Sequence, residues 1–304
     1  MAVDPDAARG RLRELIEDVI GADDVRYGAA DDAGHSMDCA KVIQDAAGDY
    51  LAVYHWFHDD GRFHVGLAVS PDLSEWAFAQ DLGRSASQPT IYAVPDAGYL
   101  VAWEQEPRNH IAVRYYPDRE ALLAGRPVRS FDARRSLSRC AEGTPSIHAV
   151  NLEPDLDHSV IEIGAHYWWK CDRDRQMHAT LTGFRRWTAT ARPDLDEPLL
   201  GHGVDGNIGG RDPVEFLGHS FRVVEGQFVE GDFGSWRPFV WDAASGTAEQ
   251  ARVRTDGGST AFANPHVTPL TDPQGRRALM ISLFVPGEGA APGEGGPLLY
   301  RRAY

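Results

Sequence analysis

Lysine is nearly absent from this chain of 304 residues: Lys41 and Lys170 stand alone, and arginine carries the rest of the positive charge. Lys and Arg number 30 against 45 Asp and Glu, a formal net charge of -15, and no basic run interrupts the acidity. Nucleic-acid backbones and anionic bilayers both need clustered cations, so neither is expected as a partner. The arginine-for-lysine bias, beside abundant Ala, Gly and Asp, reads as high-GC codon usage. Cysteine is scarce as well. Cys39, Cys140 and Cys171 are odd in number and include no CxxC pair, so neither a disulfide framework nor a zinc knuckle is expected, and reduced thiols are the default. No apolar run approaches the roughly 18 residues needed to span a bilayer. The opening MAVDPDAARG carries acid where a signal peptide would carry base. Together these absences set the expectation of a cytoplasmic protein.

Helical periodicity is also in short supply. Residues 7–20 place Leu12, Leu15, Ile16, Val19 and Ile20 on one face, with Asp6 as N-cap and Gly21 as stop, which predicts a single amphipathic helix packed on the outside of whatever follows. Beyond it only a short turn near Asp118–Leu123 suggests helix. The remainder alternates with a period near 2, and at 42% hydrophobic residues it has ample material for a core.

What the chain does have is self-similarity, the first thing to seek in a long β sequence. Gln88-Pro89-Thr90-Ile91, Thr144-Pro145-Ser146-Ile147, Asp212-Pro213-Val214-Glu215 and Asn264-Pro265-His266-Val267 each precede a turn and an apolar strand. A degenerate fifth copy, Asp38-Cys39-Ala40-Lys41-Val42-Ile43, leads into Tyr50–His55. The motif prolines are 56, 68 and 52 positions apart, a length that suits one four-stranded blade, with proline read as the first residue of its strand, where a missing N–H is tolerated. The expected fold is all-β: a five-bladed β-propeller over 35–304 as one domain, preceded by a helix and lead-in over 1–34.

With the repeat in place, the chain resembles the five-bladed glycosidases of the family-43 arabinanase and xylosidase type. The resemblance rests on the Pro-containing blade starts and on Ser70-Pro71-Asp72-Leu73-Ser74-Glu75-Trp76 after an outer strand of the first blade. A histidine opening the fifth blade, here His266, is a further point of likeness. It implies a polar site at the propeller's centre, with three carboxylates on the innermost strands of the first, third and fourth blades. The matching residues are Asp38 as base, with Glu142 and Asp212 to supply the acid and the residue that tunes and orients. One carboxylate would activate water and another protonate the leaving oxygen. Two departures stand out: Glu142 lies three positions before its proline, and Arg211 occupies the place of the family's fourth-blade acid.

The resemblance implies a small-molecule or oligosaccharide substrate and no required cofactor, with His266 as the residue toward a central Ca²⁺ or other ion. Arg211, His266, Gln88, Trp103, His148 and His55 are the candidate substrate-binding residues. Each has a plainer alternative: Asp38 as a turn cap, Asp212 with Arg211 as an ion pair, tryptophans as packing between blades, histidines as half-buried strand residues. His55-x-x-His58-x5-His64 matches no zinc signature. The unequal blade starts favour one composite site over a lectin-like repeat. A glycosidase acting on a small glycoside or sugar-like metabolite leads. A non-hydrolytic tailoring enzyme or transferase, or a carbohydrate-binding propeller, stands beside it, and the oligomeric state is open.

Overall fold

The computed structural model describes residues 3–304, with Arg211 described in its backbone alone. The fold is a five-bladed β-propeller, each blade a four-stranded antiparallel sheet. Helix α1 (Pro5–Glu17) and strand β1 (Asp24–Tyr27) come first. Blade one follows as β2 (Asp38–Gln44), β3 (Tyr50–Phe57), β4 (Phe63–Ser70) and β5 (Ala77–Arg84). Blade two is β6 (Ala86–Val94), β7 (Gly98–Gln105), β8 (His110–Tyr116) and, after the one-turn α2 (Arg119–Leu123), β9 (Arg129–Asp132). Blade three is β10 (Glu142–Asn151), β11 (Val160–Trp169), β12 (Arg173–Thr182) and β13 (Arg186–Ala191). After α3 (Pro193–Gly201), blade four is β14 (Ile208–Phe216), β15 (His219–Gln227), β16 (Trp236–Asp242) and β17 (Thr247–Gln250). Blade five runs β18 (Ala263–Thr271), β19 (Arg277–Val285) and β20 (Gly296–Ala303), and takes β1 as its outer strand. The lead-in drawn to residue 34 is therefore part of the propeller: Asp24–Tyr27 pair antiparallel with Leu298–Arg301.

The chain forms two compact units. Blades one to three, Ala30–Arg192, make one; residues up to Ala29 with Pro193–Tyr304 make the other. In the second, α1 lays Ala8, Leu12, Leu15 and Ile16 on a core shared with Phe216, Phe221, Val240 and Leu279. The N-cap is Asp4, whose side chain accepts from Ala7 N–H at 3.1 Å, two positions before the expected cap, because Pro5 starts the helix with the fixed φ that suits its first turn. The helix ends at Glu17, which leaves Ile20 outside it and exposed. Helix α3 was not expected. It has only nine residues with Pro198 inside, too short for a helical period to show, and it is held by burial of Leu195 and Leu199 against Val204, Ile208 and Phe239.

The repeated motif is not the first residue of a strand. In blades one, two, three and five the pairing slips by one residue at the motif: Asp38 faces His55 but Lys41 faces Val53, and the same slip falls between Ser87 and Thr90, Gly143 and Ser146, and Ala263 and His266. The extra residue is a β-bulge. Cys39, Gln88, Thr144 and Asn264 hold its left-handed position at φ 51° to 54°. Proline follows three of them, where the ladder asks for no N–H. In blade four the slip falls between Gly210 and Pro213, so Pro213 sits one place further along than the other motif prolines.

Cys140 and Cys171 correct the expectation of unpaired thiols: they form a disulfide with Cα atoms 5.6 Å apart, while Cys39 is free and buried. Disulfides belong to oxidising surroundings, so the reduced default fails for this pair. No helix among the described residues is long and apolar enough to cross a membrane.

Candidate functional site

In every blade the start of the first strand lies beside the end of the second, so the bulges and the β-hairpin tips that follow the second strands share one end of each sheet. In the unit of blades one to three, that end collects the informative side chains. Asp38 opens β2 and faces His55 on β3. Ser36 Oγ donates to Asp38 Oδ1 at 2.8 Å, and among the described residues no cation and no backbone amide meets this carboxylate. Burial raises its pKa above the ordinary carboxylate value, with the Ser36 hydrogen bond only partly opposing. Two buried carboxylates of the same unit are amply met. Asp31 accepts from Tyr54 Oη, the N–H of Ala33 and His35, and His35 Nδ1. Asp45 takes Tyr99 Oη, Ala47 N–H and Arg119.

Glu142 belongs with the well-met group, which departs from the acid's place given to it by the resemblance. Its buried Oε1 accepts three backbone N–H groups, from Ser136, Leu137 and Ser138, at 2.6, 2.6 and 3.0 Å. Beside it the Cys140–Cys171 bridge and Ser138 Oγ, which donates to Trp168 O at 2.8 Å, tie the same loop to the β11–β12 hairpin. Glu142 thus anchors a loop. That hairpin carries Trp168 and Trp169, 38% and 39% exposed, with Lys170 Nζ 4.1 Å from the Trp169 ring.

Sequence reasoning missed Glu104, the ladder partner of Ser87. Its carboxylate lies over Gly143: a Cβ added there would stand 1.9 Å from Glu104 Oε2. It accepts from Asn109 Nδ2 and Thr144 N–H. Desolvation raises its pKa and Asp174 adds to the rise, while His166, Asn109 and the Thr144 amide oppose. His166 Nε2 in turn is 3.1 Å from Thr144 Oγ1 and 3.9 Å from Asp174. A signal existed: Glu104 stands opposite Ser87 as His55 stands opposite Asp38, beside successive bulges, but only the blade register makes that visible.

Gln88 is the left-handed residue of the blade-two bulge. Its backbone N–H donates to His55 Nδ1 at 3.2 Å, and its Oε1 is 3.0 Å from Cys39 Sγ. Gln88 and His55 are therefore brought beside Asp38. Trp103 is not: it is 2% exposed in the core between blades one and two, its Nε1 bonded to Gln105 and Arg114 over its ring. The expectation that it binds substrate is corrected, since an indole filling a core has no face to offer. His148 lies further along β10, its ring over Gly164 and 6.1 Å from that of His178, away from the bulge end.

In the other unit Asp212 and His266 form a buried pair, Nδ1 to Oδ2 at 3.0 Å, with Val267 N–H also on Oδ2 at 3.2 Å. The Arg211 side chain lies outside the described residues. Among the described residues, the one group of three donors spaced for a metal is His58, Asp60 and His64, without His266.

No family model matches the sequence, and no curated protein matches it. Solved structures do match. An α-L-arabinofuranosidase from Fusarium graminearum, in complex with an iminosugar inhibitor, superposes with TM-score 0.51 at 10% identity over 93% of this chain and 98% of its own. An α-L-arabinofuranosidase from Podospora anserina, in complex with cellotriose, gives 0.51 at 8% over 91% and 94%. Fructan 1-exohydrolase IIa from Cichorium intybus gives 0.50 at 12%, over 92% of this chain and 57% of its own. The chain shares the five-bladed fold of these propeller glycosidases.

Proposed function

We propose that this chain is a glycosidase-like enzyme acting on a small glycoside or sugar-like metabolite at the bulge end of blades one to three, with Asp38 as base. The observation that carries the reading is that, among the described residues, Asp38 has Ser36 as its one hydrogen-bond donor and no cation: a half-buried carboxylate so placed costs stability, and perturbed groups of this kind concentrate at functional sites. Glu104 takes the acid's part in place of Glu142, because burial favours its protonated form at pH values where an ordinary glutamate is ionised. In the reaction Asp38 accepts a proton from water as the water oxygen bonds to the anomeric carbon. The glycosidic C–O bond breaks, and Glu104 delivers its proton to the departing oxygen. Trp168 and Trp169 offer exposed aromatic faces on the neighbouring hairpin for a sugar ring. Support comes from the fold shared with arabinofuranosidases solved with cellotriose or an iminosugar.

A second reading, a carbohydrate-binding or non-hydrolytic propeller, draws on one observation: Glu104 is also a hydrogen-bond anchor for Thr144 and Asn109. Aryl arabinosides, xylosides, galactosides and fructosides, assayed with wild type, Asp38→Asn and Glu104→Gln, separate the two. Hydrolysis by wild type with kcat/KM falling about 10²- to 10⁴-fold in each variant supports the enzyme. Binding of a sugar without turnover supports the second reading. Hydrolysis undiminished in Asp38→Asn removes Asp38 from the mechanism.

A further inference from the structure

We propose that His58 and Asp60, in the turn between β3 and β4, and His64, near the start of β4, bind a first-row divalent cation of the Zn²⁺ type. The hairpin is closed by His58 N–H to Arg62 O at 2.8 Å and Gly61 N–H to His58 O at 2.9 Å, with Gly61 at φ 78°. That turn sets the carboxylate of Asp60 between two imidazoles: Oδ1 is 3.3 Å from His58 Nδ1, and Oδ2 is 3.2 Å from His64 Nε2. One donor atom from each of the three residues lies within 4.8 Å of the others. Donors at the corners of a tetrahedron with Zn–N and Zn–O bonds of roughly 2.0–2.2 Å stand about 3.3–3.6 Å apart. The 3.3 Å and 3.2 Å spacings are of that size but run through different oxygens of Asp60, so a site using one oxygen closes by side-chain rotation at the hairpin tip.

The surroundings favour metal over a simple ion pair. The His64 side chain is 7% exposed, and its Nδ1 is 2.6 Å from Asp81 Oδ2. A carboxylate behind the far ring nitrogen fixes the tautomer with the Nε2 lone pair outward, the arrangement that metal-bound histidines use. The His58 ring stacks on His64 with centroids 4.4 Å apart, and Trp56 flanks His64 at 5.4 Å, so both imidazoles are held in orientation. Two neutral imidazoles and one carboxylate suit Zn²⁺, Co²⁺, Ni²⁺ or Cu²⁺; Ca²⁺ asks for six to eight oxygens. Two interactions compete for the same atoms. Arg84 Nε donates to Asp60 Oδ2 at 2.8 Å, and Asp60 N–H donates to His58 Nδ1 at 3.1 Å. The Arg84 side chain is 64% exposed and can return to water. Three protein donors leave a coordination position for water or an anion.

The test uses the full chain after chelator treatment, titrated with Co²⁺ and read by its visible ligand-field absorption. One equivalent should bind, be displaced by Zn²⁺ and resist a hundredfold excess of Ca²⁺. His58→Ala and Asp60→Asn, both at the hairpin tip, should lose the signal while far-UV circular dichroism is unchanged. Asp81→Asn should weaken Co²⁺ binding about 10- to 100-fold, and Arg84→Ala should tighten it. A titration with no saturable one-equivalent signal, an undiminished signal in both His58→Ala and Asp60→Asn, or displacement by Ca²⁺ would overturn the assignment. None of these readings depends on glycoside hydrolysis.

Discussion

Replacing Gly143 by alanine tests whether the Glu104 carboxylate is held where the blade register puts it. Gly143 does not occupy the left-handed region, so its backbone accepts alanine, and the fewer conformations left to the unfolded chain would by themselves stabilise by about 0.4–1 kcal/mol. The steric consequence runs the other way. A Cβ at this position meets Glu104 Oε2 at 1.9 Å, Cδ at 2.4 Å and Cγ at 3.1 Å. Glu104 must retreat by roughly 1 Å or more, outside the 2.7–3.2 Å window in which an N–H···O bond holds. Overpacking of this kind costs about 1–3 kcal/mol, and stranding the buried Thr144 N–H costs about 1–3 kcal/mol more. Gly143→Ala should therefore lose about 1–5.5 kcal/mol in denaturant unfolding. In a double-mutant cycle Glu104→Ala vacates the space and by itself already strands the Thr144 N–H, so the double variant should recover about 2–6 kcal/mol relative to the sum of the singles. Glu104→Gln keeps the bulk and should recover nothing, which separates volume from charge. Additivity within about 0.5 kcal/mol would refute the placement of Glu104 over Gly143.

Folding raises the Asp38 pKa, so the folded chain holds that proton more tightly than the unfolded chain. Asp38 therefore weighs least on stability below the unfolded-state value of about 3.9 and most once pH has risen through the folded-state value. Asp38→Asn removes that penalty and should unfold at higher denaturant concentration than wild type at neutral pH, with the gap closing toward pH ~4; a less stable variant at neutral pH would count against the isolation of Asp38. The lowered pKa values of Asp242 and Asp272, which accept backbone and side-chain hydrogen bonds despite burial, act oppositely in both proteins and cancel in the comparison. The Cys140–Cys171 bridge closes a separation of 31 residues, for which loop entropy gives about 3.7 kcal/mol. Unfolded, unreduced protein should show one reactive thiol, Cys39, and reduction should lower the unfolding midpoint; three thiols without reductant would refute the pairing.

Much of the fold was legible because a repeat is read by comparison within the chain. Five motif copies gave the blade number, and the Leu12–Leu15–Ile16 face gave α1. What failed was whatever depended on partners distant in sequence. Trp103 and an exposed tryptophan look alike in a strand pattern, and only the packing of blade one on blade two buries the former. Glu142 looked like a displaced acid because nothing in its neighbourhood announces that the amides of residues 136–138 turn back onto it. The disulfide escaped since no spacing rule links two single cysteines. Strand β1 escaped because four residues separated by the whole chain from β20 carry no local sign of their pairing.

The bulge explains why the motif was visible and why it misleads. His55 on β3 accepts the N–H of Gln88, Glu104 on β7 that of Thr144, and Glu225 on β15 that of Asn264. In each case a second-strand side chain of one blade takes the backbone N–H of the left-handed bulge residue in the next. A left-handed non-glycine residue costs about 1–3 kcal/mol, most of all for β-branched Thr144, and a buried N–H left unmatched costs about as much. The latch answers the second cost and holds the first in place. The acidic and polar residues that crowd the blade starts are thus explained in large part by architecture, which is why unequal blade starts are weak evidence for a shared site. Asp38 is the residue this account leaves over. It faces His55 across the ladder, latches no described bulge amide, and its one described donor is Ser36. A carboxylate that the architecture does not use is the one whose chemistry is worth assaying first.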